Sequence, residues 1–202
     1  SNNALYKVKS VSETYACKLC VDDGRERAAR EYGALKTIQA AGFDFAPKPL
    51  LLEDSLSVVP YPVVLYHWAE GEVLQPPIPQ QQLESFLDSY HQLHSIQPSY
   101  NSPFQLNAWF HWFDFNEYLK EISDLFDQYT PWLATDTLNR LDLKDRLRQM
   151  INNLHQVISN TQIDPSKDHI PLRLVRVDPN TANAIISPDG TICWVDWEYS
   201  GW

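Results

Sequence analysis

The sequence predicts an α+β protein with two lobes, a small antiparallel β-sheet lobe with one helix and then a mostly helical lobe that ends in a β-hairpin. Three observations predict this class. Residues 1–68 contain four short apolar runs, two of which alternate with polar side chains as half-buried strands do. Residues 81–158 instead repeat their apolar side chains at helical spacing. Finally, a Pro-Asp-Gly turn at residues 188–190 joins two apolar runs into a hairpin.

The first lobe, residues 1–68, is predicted from the four apolar runs and one helix. ALYKVKSV and YACKLCV alternate around the polar SET and predict a hairpin over residues 4–21. Residues 25–40 align four apolar side chains on one face and predict a helix, which Gly42 ends. The runs LLLEDSLSVV and PVVLYHW predict two further strands, so the helix should pack on a small antiparallel sheet.

A linker and three helices are predicted to follow. The segment EGEVLQPPIPQQ carries a glycine and three prolines, so we place a linker at residues 69–80 and a second lobe at 81–202. Apolar stripes then predict helices along residues 83–93, 115–126 and 138–158. Because the chain begins with Ser and stops directly after a strand-like run, we expect both ends to be truncated relative to a longer polypeptide.

The charge balance narrows the class of partner. The chain has 16 Lys and Arg residues against 26 Asp and Glu residues, a formal net charge of −10, whereas nucleic-acid binding requires basic patches. We therefore expect no nucleic-acid partner but a neutral or cationic small molecule. No apolar run approaches the roughly 20 residues of a membrane span, and no charged-then-apolar leader opens the chain. These features predict a soluble, cytoplasmic protein without a membrane partner.

The three cysteines predict neither a disulfide framework nor a metal site. Cys17, Cys20 and Cys193 are an odd number, which an extracellular scaffold of this size rarely keeps. The CKLC spacing is similar to half of a zinc site, but no second pair with ligand spacing follows it. We expect reduced cysteines buried on strands.

Oxygen-bearing side chains surround the predicted hairpin, whose strands should lie near Asn183–Ser187 and Thr191–Trp197. A two-residue loop would set Asn183 opposite Asp196. A three-residue loop would set Asn183 opposite Val195 and diagonal to Asp196. In either register an amide oxygen and a carboxylate lie at the open end of the hairpin, where they could share one hard cation such as Mg²⁺.

A further carboxylate, Asp178, lies five residues before Asn183 in a loop that contains Pro179. A carboxylate in that place can orient or deprotonate a hydroxyl group. The alternative interpretation is that Asp178 and Asn180 only cap turns, which is the commoner role of Asp and Asn in such loops.

A lysine and a glutamate are predicted to meet in the first lobe. Lys18 lies in the apolar strand YACKLCV, and Glu31 borders the buried stripe of the following helix. An unpaired buried charge is costly, so the two side chains should pair if both point inward. The alternative is an exposed edge-strand lysine and a solvated helix glutamate.

In this order the five residues form the set that phosphoryl transfer from ATP requires. A lysine neutralises phosphate charge, a glutamate positions the lysine, an asparagine and an aspartate hold Mg²⁺, and another aspartate addresses the acceptor hydroxyl. With these residues the chain resembles the aminoglycoside phosphotransferase and choline kinase families, which share the protein-kinase-like fold. The motifs that carry the resemblance are ACKL, RAAREYGAL, APKPL, LDSYHQLHSI, RVDPNTAN and ICWVDWEYSGW.

The resemblance implies a role for each residue. Asp178 would be the catalytic base, and Lys18 with Glu31 would anchor the α- and β-phosphates of ATP. Asn183 and Asp196 would bind Mg²⁺. The implied activity is transfer of the γ-phosphoryl group of ATP to a hydroxyl of a small molecule, an aminoglycoside-like, choline-like or other amine or sugar acceptor.

The resemblance also assigns residues to nucleotide binding. NALYKV, with Asn3, looks like the end of a Gly-rich nucleotide loop. PVVLYHWAEGEVL looks like a hinge strand, so the backbone of Tyr66, His67 and Trp68 is expected to meet adenine.

One departure from the family pattern supports a different hypothesis. RVDPNTAN is similar to a His-x-Asp-x-x-x-x-Asn loop, but Arg176 stands in the position of the histidine. The alternative to an active kinase is therefore a nucleotide-binding pseudokinase or regulatory module without turnover.

Three further features each have two interpretations. His91 and His94 lie three apart on a helix, and an ordinary helix face is more common than a metal pair without a third ligand. The aromatic segment NAWFHWFDF, residues 107–115, fits core packing or a cage for a cationic or sugar-like acceptor. Glu198 is either an acceptor-side carboxylate or structural.

Overall fold

The first sheet and its helix lie where the alternating runs predict them. The computed structural model describes residues 3–99, 104–108, 120–128, 140–160 and 171–202. The four strands of the sheet are β1 (Ala4–Lys9), β2 (Thr14–Leu19), β3 (Pro49–Glu53) and β4 (Val63–His67). All neighbours are antiparallel, in the order β1-β2-β4-β3. Helix α1 (Arg27–Ala40) packs against β3 and β4, which confirms the predicted sheet with one helix.

Helix α1 ends at Ala40, and Gly42 terminates it two residues later, as the sequence predicts. Gly42 has φ +82°, a left-handed conformation that glycine adopts without steric cost. Its N–H donates to the carbonyl of Gln39 at 3.1 Å, and the N–H of Phe43 donates to the carbonyl of Ile38 at 3.2 Å. This pair of hydrogen bonds is the Schellman motif, which satisfies carbonyls that the helix end would leave unpaired.

Strand β3 is shorter than the run LLLEDSLSVV predicts. It ends at Glu53, and Val58 is exposed. The Glu53 carboxylate accepts hydrogen bonds from both the backbone N–H and the hydroxyl of Ser55. Such local bonds between side chain and backbone compete with a sheet ladder, so the chain turns there although its composition is apolar.

A second, three-stranded sheet contains the predicted hairpin. Its strands are β5 (Glu72–Val73), β6 (Ala184–Ile186) and β7 (Ile192–Trp194), antiparallel in that order. Strand β5 lies within residues 69–80, so that segment contains a strand, while the lobe boundary there stays a prediction. Gly71 precedes β5 with φ +140°, and a Cβ on it would lie 2.2 Å from the carbonyl oxygen of Ile186. Only glycine allows this close approach of the two backbones.

Helix α2 (Gln80–Ser95) confirms the first predicted helix and lies against β7. The ring of Phe86 is 4.5 Å from that of Trp194, centroid to centroid, and the indole N–H of Trp194 donates to the Ser89 hydroxyl at 2.8 Å. Leu83 and Leu87 are exposed, so the buried face of α2 is narrower than its apolar stripe.

The chain divides into two compact units, Ser1–His111 with Leu172–Trp202, and Trp112–Pro171. In the second unit the structure describes two helices, α3 (residues 120–128) and α4 (Arg140–Asn160). They confirm the predicted helices over the residues that are described. No helix in the described ranges is long and apolar enough to cross a membrane.

Candidate active site

Strand β2 directs Lys18 to the inner face of the first sheet. Ala16, Lys18 and Cys20 alternate along the chain, and all three are buried, as period-two geometry requires of one face. Glu31 is on the side of α1 that packs on this sheet and is also fully buried. The ammonium of Lys18 donates to Glu31 Oε2. The predicted contact is therefore present, and the exposed alternative for the two residues is wrong.

Two more carboxylates converge on the same ammonium. Asp196 Oδ1 lies 2.5 Å from Lys18 Nζ, and Glu198 Oε2 lies 3.4 Å from it. Burial disfavours the charged form of Lys18, but the carboxylates of Glu31 and Asp196 outweigh it and raise the pKa of Lys18. Burial raises the pKa of Glu31 as well, against the effect of Lys18. Lys18 therefore keeps its proton, because two carboxylates outweigh the effect of its burial.

Glu198 is bound on its other side by an arginine that the sequence reasoning missed. Arg27 Nη1 donates to Glu198 Oε1 at 2.5 Å, and Arg27 Nη2 donates to Asp23 Oδ2 at 2.7 Å. Arg27 and Glu198 are both buried, which favours the structural interpretation of Glu198. The available signal was the spacing of four between Arg27 and Glu31, which puts both on one face of α1. We call Lys18, Arg27, Glu31, Asp196 and Glu198 the inner charge cluster.

Asn3 joins this cluster rather than standing apart from it. Its amide nitrogen donates to Glu198 Oε2, and its amide oxygen accepts from the backbone N–H of Val21 at 2.9 Å. Both ends of the amide are therefore bound within the protein. Its contact with a nucleotide stays a prediction.

The hairpin adopts the second of the two predicted registers. Ile186 pairs with Ile192 and Ala184 with Trp194, and the N–H of Val195 donates to the carbonyl of Asn183 at 2.9 Å. The loop thus has three residues, 188–190, and Asn183 lies opposite Val195. Asn183 itself is in a 3₁₀ turn (Thr181–Asn183), and β7 ends at Trp194. The predicted strands were therefore too long at the open end of the hairpin.

Asp178 and Asn183 meet in the loop that leads into the hairpin. Asn183 Nδ2 donates to Asp178 Oδ2 at 3.0 Å, while Asp178 Oδ1 accepts from the N–H of Asn180 at 3.3 Å. Asn180 Oδ1 accepts from the N–H of Ala182 at 3.0 Å and so caps the 3₁₀ turn. Asp178 is half-buried. Asp178 can therefore bond within the turn and still be accessible to a hydroxyl group. We call Asp178, Asn180 and Asn183 the loop cluster.

Arg176 is completely buried beside both clusters. Its Nε donates to the carbonyl of Asp178 at 2.7 Å, and its Nη2 donates to the carbonyls of Val195 at 2.8 Å and Asp196 at 3.3 Å. Burial lowers its pKa to about 10, so the guanidinium is charged at neutral pH. Val195 and Asp196 therefore give their carbonyls to Arg176 instead of to a neighbouring strand. This explains why β7 stops short of Trp197.

The predicted hinge, Tyr66 to Trp68, lies at the end of β4, and part of its backbone is already bonded. The N–H of His67 donates to the carbonyl of Lys48, and the N–H of Trp68 donates to the carbonyl of Thr14, both at 3.0 Å. Tyr66 is buried, and burial followed by the charge of Glu31 raises its pKa. Both N–H groups are therefore bonded within the protein, and the contact of this stretch with adenine stays a prediction.

The oxygen donors of the site fit Mg²⁺ in chemistry. Among the described residues, Glu31, Asp196 and Glu198 are the one group of His, Cys, Asp and Glu side chains close enough to share an ion, with their oxygens within 4.8 Å of one another. The side chains of Glu31 and Glu198 are 1% and 2% exposed, whereas that of Asp196 is 28% exposed. Asp196 is thus the member that a ligand could reach. Asn183 bonds to Asp178, so the two predicted metal ligands have different partners here.

The remaining candidates are the two histidines, the three cysteines and the aromatic segment. His91 and His94 are exposed on α2. Cys17, Cys20 and Cys193 are free thiols, and of the three only Cys20 is fully buried. In the aromatic segment 107–115 the structure describes only Asn107 and Ala108, so its predicted role lies outside the described residues.

Comparison with known proteins gives a family match over the whole chain. The model of the phosphotransferase enzyme family, APH, matches residues 1–202. No curated protein matches the sequence. Similar solved structures include the spectinomycin phosphotransferase APH(9)-Ia in complex with ADP and spectinomycin, with a TM-score of 0.57 at 14% identity over 99% of this chain and 61% of that chain.

Two further structures have the same fold. An aminoglycoside phosphotransferase from Alicyclobacillus acidocaldarius has a TM-score of 0.57 at 13% identity, over 97% of this chain and 60% of that one. A thermostable mutant of APH(4)-Ia, in a ternary complex with ADP and hygromycin B, has a TM-score of 0.52 at 12% identity, over 99% and 64%. The chain thus spans less than two thirds of the length of these structures, and identities this low show a shared fold alone.

Proposed function

The chain belongs to the phosphotransferase enzyme family, and on this premise we propose that the protein is an ATP- and Mg²⁺-dependent kinase of small molecules. It transfers the γ-phosphoryl group of ATP to a hydroxyl group of its acceptor. The residues described above supply the nucleotide-binding and catalytic-loop parts of that activity.

The observation that carries the proposal is the buried pair of Lys18 and Glu31 beside the accessible carboxylate of Asp196. A buried lysine held by a glutamate is positioned to neutralise the α- and β-phosphates of a nucleotide. Asn183 and Asp196 would hold Mg²⁺, which would neutralise phosphate charge when bound. The all-oxygen donor set and the exposure of Asp196 support this assignment.

Asp178 is the proposed catalytic base. Its carboxylate is half-buried, and Asn183 and the backbone of Asn180 orient its two oxygens. As the acceptor oxygen forms its bond to the γ-phosphorus, the bond from that phosphorus to the bridging oxygen of ADP breaks. The hydroxyl proton passes to the Asp178 carboxylate. Two hydrogen bonds to the carboxylate limit its rotation, which keeps one oxygen directed at the acceptor.

We propose an amine-bearing or sugar-like acceptor. The net charge of −10 favours a cation over an anion, and similar structures contain spectinomycin and hygromycin B. ATP as phosphate donor places the activity in the cytoplasm.

The proposal is tested with the full-length protein, ATP, Mg²⁺ and a panel of hydroxylated amines, including spectinomycin, hygromycin B and choline. Mass spectrometry of each acceptor detects the added phosphate, and ADP release gives the rate. We expect at least one acceptor to be phosphorylated with ADP formed in equal amount. If the protein binds ATP but no acceptor ever gains phosphate, the pseudokinase hypothesis, which Arg176 motivates, replaces the kinase.

A further inference from the structure

The backbone around the loop cluster is strained at two places. Val177 has φ +70° and Asp196 has φ +64°. A β-branched residue such as Val177 is an outlier in this region, and a residue other than glycine persists there only where its surroundings enforce it. The N–H of Asp178 donates to the carbonyl of Arg176 at 2.9 Å, so Val177 is the centre of a γ-turn with positive φ, a rare and strained type. Other contacts must therefore stabilise the backbone at Val177 and at Asp196.

Arg176 contacts the carbonyls on both sides of this strain. Its Nε donates to the carbonyl of Asp178, directly after the strained Val177. Its Nη2 donates to the carbonyl of Asp196, the second strained residue, and to that of Val195, which precedes it. The planar guanidinium has donors on both edges, so a single rigid group joins the two segments.

Two tryptophans fix the plane of that guanidinium. The Cζ of Arg176 lies 4.6 Å from the ring centre of Trp194 and 4.9 Å from that of Trp197. The indole N–H of Trp197 donates to the carbonyl of Trp194 at 2.7 Å, and that of Trp194 donates to Ser89. A cation between two anchored rings cannot turn, so its donors keep their direction.

The arginine is not optimal for stability alone. Within the part of the chain that the structure describes, Nη1 of Arg176 is buried without a hydrogen-bond partner. An unsatisfied buried donor is destabilising, and native structures keep few of them. A buried donor without a partner, next to the proposed reacting groups, is typical of a functional position.

We propose that Arg176 is a positioning residue for phosphoryl transfer, which holds Asp178 and Asp196 in register through the carbonyls of the two strained segments. The inference rests on the proposed function of those two residues. Arg176 in the position of the family histidine then serves turnover instead of marking its loss. Misplacing a reacting group by about 1 Å can cost about 10²-fold in rate, which sets the size of the effect.

The test compares Arg176→Lys and Arg176→Met with the unaltered full-length protein. Lysine keeps the length and the charge but has a single ammonium, which cannot donate to both segments in one plane. In each protein kcat, the KM for ATP, the fraction folded and the affinity for ADP with and without Mg²⁺ are measured. Arg173→Lys is the matched control, because within the described ranges Arg173 donates to the adjacent carbonyl of Leu172 and to no distant segment.

We expect Arg176→Lys to lower kcat about 10²-fold with little change in the KM for ATP, and Arg173→Lys to change neither. Mg²⁺ should strengthen ADP binding less in Arg176→Lys than in the unaltered protein, because Asp196 is displaced. Unchanged kcat and an unchanged Mg²⁺ effect in Arg176→Lys would overturn the proposal. So would a loss of kcat that only parallels the loss of folded protein.

Two results separate the possible failures. If Arg176→Met does not fold, Arg176→Lys decides, because it retains the volume and charge of the site. If the unaltered protein phosphorylates no acceptor, the proposed function fails. The Mg²⁺ effect on ADP binding, which needs no turnover, then still shows whether Arg176 positions Asp196.

Discussion

The inner charge cluster and the loop cluster hold their carboxylates in opposite ways. Glu31 and Glu198 are buried and are bound by the cations Lys18 and Arg27. Asp178, in the loop cluster, is half-buried, and the hydrogen bonds that it accepts from the described residues come from neutral donors within five residues of it. The first arrangement pairs carboxylates with cations where water is excluded, whereas the second leaves a carboxylate that is partly exposed. Stability should therefore depend mainly on the buried carboxylates of the first cluster, Glu31 and Glu198, and proton transfer on Asp178 of the second.

The largest effect is expected in the loop cluster and on turnover. Asp178→Asn keeps the size of the side chain and a hydrogen bond to Asn183 but removes the proton acceptor. We expect kcat to fall about 10²–10⁴-fold, the usual contribution of a general base, with ADP affinity unchanged. The matched control is Asp189→Asn in the hairpin turn, which should leave kcat as it is. A comparable loss in both variants would show that the hairpin, and not the base, is responsible.

The second largest effect is expected on stability, when the inner charge cluster is altered. Lys18→Met leaves three carboxylates without their shared cation. We expect the free energy of unfolding, measured in urea, to fall by about 3–5 kcal/mol. The control Lys120→Met breaks an exposed pair with Asp124 and should cost less than about 1 kcal/mol. Equal losses in the two variants would mean that the buried carboxylates are already neutral in the folded protein.

A smaller effect separates the two interpretations of Glu198. Glu198→Gln keeps the shape of the side chain but removes the charge that faces Arg27, which retains Asp23 as a partner. We expect the free energy of unfolding to fall by about 1.5–3 kcal/mol, the range for hydrogen bonds to charged groups. The KM for the acceptor should not change. An altered acceptor KM at unchanged stability would instead support the acceptor-side interpretation.

The smallest effect lies outside both clusters, at His94 on α2. Although His94 is exposed as a whole, its ring packs edge-on against that of Tyr90. The desolvation on that side, followed by the charge of His91, lowers the pKa of His94, so the unfolded chain binds this proton more readily than the folded protein. Stability should therefore rise with pH from the lowered pKa up to about 6.5, the ordinary histidine value. Thermal unfolding at pH 5.5 and 7.5 should show a lower Tm at pH 5.5. His94→Gln should reduce the difference, and His91→Gln should reduce it in part; no change in either variant would assign the pH effect to other groups.

The sequence predicted correctly which side of an element a residue faces wherever the strand or helix repeat alone determines it. A strand has a period of two, so the burial of Ala16 on β2 also places Lys18 on the inner face. Helical spacing in the same way puts Glu31 on the side of α1 that packs against the sheet. The predicted strand ends were wrong where side chains form hydrogen bonds with the backbone, because composition does not show such bonds. Glu53 and Ser55 end β3 early, and Arg176 takes the carbonyls that β7 would need.

By itself the sequence determined which residues carry charge at the site. It also determined on which face of its helix or strand each of them lies. Both depend only on residue identity and on spacing over a few positions. Only the tertiary structure decided their partners. Glu198 meets an arginine 171 positions earlier in the chain, and Arg176 bonds to backbone 19 and 20 residues later. Such contacts depend on how distant segments pack, and no local period encodes that distance. The hairpin register is another case, since both loop lengths satisfied the local pattern and one pairing, Asn183 opposite Val195, was formed.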